Sequence, residues 1–227
     1  MVIMARFHGI LLTLVLGLGI ATAATADEAA LDLLDTATPY SADFTLSGPK
    51  GIYQGKVWHA KGRERREVAT SGGGQAVLLL RDSDAAYVMS TGGRWYVGLS
   101  LHAAGSLAGG LDAWRVTKTK MRDETMAGVK ATRWKARADG PKGGFAGEIW
   151  TSREGIVVKA VGVLEKADGD DTPVEMALSN LRIGNVDQGK LELPQGWFGF
   201  DLKKVPADRI EQAIEGIRPM LESRKGG

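Results

Sequence analysis

The chain has 227 residues, 44% of them hydrophobic and 25% charged, with 29 basic residues against 27 acidic and no cysteine. So even a balance of charge is not that of a nucleic-acid binder. The missing thiols exclude catalytic cysteine, thiolate zinc sites and redox pairs.

At the N-terminus, Arg6 and His8 precede an apolar run from Gly9 to Ile20, followed by small residues at Ala21-Thr22-Ala23 and Ala24-Thr25-Ala26. This pattern predicts a secretory signal peptide over residues 1–26, cleaved before Asp27. About a dozen apolar residues fall short of the ~20 that span hydrocarbon. Residues 27–227 are then expected to form one exported domain, large enough to bury its own core.

Glu28 to Asp35 reads as a short helix with Leu31 and Leu34 on one face, ending before Pro39. Strand signals follow near 40–47, 51–60, 63–70, 75–81, 85–90, 94–99, 116–125, 129–138, 144–152, 156–165, 174–184 and 197–202. The connections between them are short, as at Lys61-Gly62, Gly72-Gly73-Gly74, Gly92-Gly93 and Glu154-Gly155. Short links require neighbouring antiparallel strands, so the strands form a meander. The glycine-rich stretch 98–115 interrupts it and is expected to lay a short helix or two across the mouth of the sheet. A C-terminal helix is predicted over 208–218, capped by Asp208, with Ile210, Ala213, Ile214 and Ile217 in its stripe. Gly216 weakens that helix and Pro219 should end or kink it.

Tyr40, Ala42, Phe44 and Leu46 alternate with Ser41, Asp43, Thr45 and Ser47, so the first long strand is half buried. Lys118, Lys120 and Arg122 opposite Met121 repeat the asymmetry, whereas "AVLLL" at 76–80 and "IVVKAVGVL" at 156–164 are apolar on both sides. A long sheet with so little helix either keeps an apolar hollow for a lipid-like guest or fills it with its own side chains. Alternation alone does not distinguish the two.

Catalytic patterns are weak. Gly98-Leu99-Ser100-Leu101-His102 resembles a nucleophile elbow, but histidine replaces its final glycine and no histidine follows. His59 and His102 have no metal-ligand partner at useful spacing. Asp168, Asp170 and Asp171 lack the glycine and closing glutamate of a calcium loop and read as a hairpin turn. "KGRERRE" at 61–67 reads as a solvated edge strand. No catalytic residue, metal site or cofactor is expected.

The order of "GIYQGKVWHAKGRERREV", "AVLLLRDSDAAYVMSTGGRWYVG", the glycine-rich excursion, "GVKATRWKARADGPKGGFAGEIWTSREGIVVKAV" and "GKLELPQGW" resembles the periplasmic lipoprotein-carrier (LolA-like and LolB-like) superfamily, with its secreted relatives. The resemblance covers most of residues 28–200. Arg65 and Arg66 fall where that family has basic strand residues, and Trp150 and Gly155 match its hairpin of tryptophan, acid and glycine. It implies a mostly β (α+β) fold: a curved antiparallel meander forming an incomplete barrel, with helices covering the open side. It also implies an apolar cavity for acyl chains and a place in outer-membrane biogenesis. The poorly matching excursion and the extra C-terminal helix depart from the carrier proper, which leaves the cargo open. Candidate lining residues are Phe44, Leu46, Trp58, Leu80, Tyr87, Trp95, Val97, Trp134 and Trp150. The expected function is a monomeric periplasmic carrier or binder of lipid or acylated lipoprotein, without chemistry of its own. The alternative is a module with a filled barrel that meets other envelope proteins.

Overall fold

The computed structural model describes residues 28–222, apart from residues 34, 50, 71–72, 127, 167–168 and 170. The expected signal peptide, Leu34, Gly72, Asp168 and Asp170 lie outside the described residues. Among the described residues, thirteen strands form one open sheet. They are β1 (Glu28–Ala29), β2 (Tyr40–Gly48), β3 (Gly51–Ala60), β4 (Arg63–Val68), β5 (Gln75–Leu80), β6 (Ala85–Ser90), β7 (Trp95–Leu99), β8 (Arg115–Met126), β9 (Val129–Gly140), β10 (Gly143–Ser152), β11 (Val157–Lys166), β12 (Thr172–Ile183) and β13 (Phe198–Asp201).

The spatial order is β1-β8-β9-β10-β11-β12-β2-β3-β4-β5-β6-β7-β13. Two meanders, β2 to β7 and β8 to β12, are thus joined by β12 against β2 rather than by strands adjacent in the chain. Every pairing is antiparallel except β13 beside β7, which is parallel. The sheet is mostly β and does not close into a barrel. The sequence offers no sign of β1, because two residues are too few to show alternation.

Side chains alternate across a strand, so the register assigns them to faces. One face carries Tyr40, Ala42, Phe44 and Leu46 of β2, opposite His59, Val57, Gly55 and Tyr53 of β3. It continues through Phe145, Gly147 and Ile149 of β10. We call this the inner face, because the helices pack on it. These are α1 (Ala30–Leu33), α2 (Leu101–Leu107) and α3 (Ile210–Glu222). Inner-face side chains form one apolar cluster with Ala30, Ala103, Ala104, Trp114, Ile210, Ile214 and Leu221.

The outer face has a smaller cluster, in which Ala76, Leu78 and Met89 are covered by Leu193 and Trp197. Those two residues belong to a strap between β12 and β13 that includes the turn Gln188–Leu191 and crosses β3 and β4. This explains why "AVLLL" is apolar on both sides: one side faces the helices and the other the strap. Among the described residues no helix is long and apolar enough to cross a membrane.

Three expectations are corrected. The β4 strand lies between β3 and β5 in the sheet interior, with Glu64, Arg65 and Arg66 buried, so it is no solvated edge. The C-terminal helix runs through Pro219 to Glu222, and Asp208 sits within a 3-10 turn, Ala207–Arg209, whose N-terminus has no side-chain cap. Lys118 and Lys120 share the inner face with Ala136 and Trp134, while Met121 is exposed.

Candidate functional site: the inner apolar face and its helical cover

Two phenylalanines set the floor of the inner face, each lying over glycine on the sheet. A Cβ at Gly55 would fall 2.8 Å from the Phe44 ring, and Cβ atoms at Gly147 and Gly162 would fall 2.8 and 2.7 Å from that of Phe145. Gly147 and Gly162 are directly opposite one another on β10 and β11. The rings thus replace the missing side chains, an aromatic cover over a glycine pair.

Five of the nine candidate lining residues share this face: Phe44, Leu46, Trp95, Val97 and Trp134, all buried within the main cluster. Trp134 donates from Nε1 to Thr151 Oγ1 at 2.9 Å and lies 5.1 Å beneath Lys118 Nζ. The other four are on the outer face by register, although Trp150 is also buried within the main cluster. Trp58 opposes Ser41 and carries Lys190 Nζ 5.5 Å above its ring. Leu80 and Tyr87 pack beneath the strap. Trp150 opposes Arg133 and Lys159, which stand 5.2 and 5.7 Å over its ring, and its Nε1 donates to Glu124. Tryptophan signals pocket and core alike, so residue type alone could not separate the faces. Parity within each strand, counted from Phe44, was the usable signal.

A group that residue-by-residue reading missed lies at one end of the same face. His59 is 1% exposed, with Nε2 donating to Thr36 O at 2.9 Å and Nδ1 3.3 Å from Glu64 Oε2. Arg66 Nε donates to Glu64 Oε1 at 2.7 Å, and Tyr40 stacks on the imidazole at 5.0 Å. Burial would raise the Glu64 carboxyl, but Arg66 and His59 outweigh it and hold it at about 2. Burial disfavours the His59 cation, yet Glu64, the Thr36 carbonyl and Asp35 raise its pKa above 6.5. Burial together with the Glu64 charge pushes the Tyr40 phenol well above its usual value. The two-residue turn Lys61-Gly62 fixes His59 opposite Glu64, so this cluster was legible once the hairpin register was counted. It fastens the segment before β2 to the sheet: Asp35 Oδ1 also accepts from Gly62 N at 2.6 Å.

The elbow-like sequence has a structural use. Ser100 is the N-cap of α2, its Oγ accepting from Ala103 N at 3.1 Å, and exposed His102 contacts Asp112 at 2.6 Å. Among the described residues no cluster of three or more metal-type ligands occurs. A cleft of about 580 Å³ lies against the outer face, lined by Asp43, Lys56, Trp58, Asn180 and Arg182 among others. Lys56 and Asn180 both donate to Asp43 there.

No family model matches the sequence, and no curated protein matches it. Structural neighbours include an uncharacterised conserved protein from Thermus thermophilus, at 11% identity over 73% of this chain and 91% of that one, with a TM-score of 0.49. They also include the MucA/MucB complex of Pseudomonas aeruginosa, at 14% identity over 71% of this chain but 57% of that one, with a TM-score of 0.44. A LolA superfamily protein from Nitrosomonas europaea matches at 12% identity over 70% and 90% of the two chains, with a TM-score of 0.35. These neighbours are distant in both sequence and structure.

Proposed function

We propose that this chain is a periplasmic carrier or binder that takes the acyl chains of a lipid or acylated lipoprotein against its inner apolar face and performs no chemistry of its own. One observation carries the reading: the apolar inner face is roofed by helices rather than by a second sheet. Strands would be locked by ladder hydrogen bonds, whereas a helix keeps its backbone bonds within itself and is held by apolar contact. A guest offering equal apolar area can therefore replace such a roof without breaking the sheet. The leader-like segment 1–26 supports export.

A second reading has its own observation. The inner-face side chains are already covered in this structure, which suits a filled module that meets other envelope proteins. Native mass spectrometry of protein purified from the cell envelope without detergent separates the two. Bound masses that extract as acyl lipids are expected; a clean apo mass together with no binding of an apolar dye overturns the carrier reading in favour of the second.

A further inference from the structure

We propose that α3 is the resident occupant of the ligand surface and is displaced from it by acyl chains, an inference that rests on the binding reading above. The helix presents Ile210, Ile214 and Leu221 to the inner cluster, with Ile217 packed against it. Its exposed side carries the two residues least suited to a helix, Gly216 and Pro219. Glycine loses the most backbone freedom on becoming helical, and proline removes one of the i to i−4 hydrogen bonds. Thirteen residues is also a length at which isolated helices are marginal even in good helix formers.

This helix therefore exists because the inner face holds its stripe. Packing does not demand glycine at 216: a Cβ there would meet nothing within 4 Å, so alanine fits. The sequence thus holds α3 below the helical stability that its surroundings allow. Only residues 202–209 separate α3 from β13, and β13 keeps its own pairing with β7. Release of α3 would expose apolar surface while every strand pairing stays intact. Acyl chains suit the vacated surface because apolar contact is non-directional and needs no matched hydrogen bonds.

The test uses the full chain and a pyrene-labelled lysophospholipid titrated by fluorescence. Gly216→Ala should weaken its binding about fivefold, because the competing helix is strengthened by the ordinary glycine-to-alanine difference. Gly216→Ala with Pro219→Ala should weaken it at least about tenfold. Ile214→Asp, which loosens the stripe, should tighten it. Hydrogen exchange gives an independent readout: saturating lysophospholipid should speed exchange of the 210–222 amides and leave those of β2 to β5 unchanged. Binding that ignores all three helix substitutions, or α3 amides that stay protected in the saturated protein, overturns the displacement and leaves the binding reading standing. No binding by any of the four chains overturns both.

Discussion

His59, Glu64 and Arg66 are charged groups placed where an apolar residue would ordinarily sit, and their energetics follow from what each leaves behind if removed. Arg66→Met strands a buried carboxylate and should destabilise the fold by about 3–5 kcal/mol in chemical denaturation. Their pH dependence has two limbs. Glu64 ionises more readily in the folded chain, so its contribution is complete above about pH 4.5 and is lost as pH falls toward 2. His59 binds its proton more tightly when folded, so its contribution is complete below pH 6.5 and is lost as pH rises through its raised pKa. Tm should therefore fall on both sides of the window between 4.5 and 6.5, and Glu64→Gln should flatten the alkaline limb. An unchanged alkaline limb in that variant would remove Glu64 as its cause. Gly147→Ala should also be costly, since its Cβ would lie 2.3 Å from the Val161 carbonyl oxygen as well as against the Phe145 ring. Alternation places Phe145 and Ile149 on one face of their strand, but a glycine holds no apolar signal, so the ring over Gly147 and Gly162 was invisible in the sequence.

At the level of elements, strand positions were legible because valine, threonine and aromatics alternate between glycine-bearing turns, and every predicted strand falls on an observed one, with only β1 unforeseen among the described strands. Burial of β4 was not legible. Its charges pair along the strand, Glu64 with Arg66 and Arg65 with Glu67, and a run of Arg and Glu looks the same whether solvated or paired. The end of α3 was misjudged for a different reason: Pro219 lies on the exposed side of the helix and the apolar stripe continues past it to Leu221. The strap between β12 and β13 has little periodicity, yet Leu191 within it is fully buried. Leu191→Ala should cost about 2–5 kcal/mol in urea unfolding, the range for a core leucine; a loss below about 1 kcal/mol would mean that the strap is loosely attached.

Across the whole molecule, the seam between β12 and β2 makes one sheet of two meanders, with Leu46 opposite Met176 and Phe44 opposite Leu178. No local feature announces a pairing between strands so far apart in the chain, and short links point only to strands that are adjacent in it. The shared cluster on both meanders should make unfolding cooperative, so tryptophan fluorescence and far-UV circular dichroism should trace one coincident transition. Separate midpoints would show that the halves melt independently. The path of residues 184–222 has a consequence for both faces. These residues pass over the outside as the strap, join an edge as β13 and return inside as α3. Neither surface is sealed until that one contiguous stretch has docked, so a single chain cut within it should open both apolar faces together.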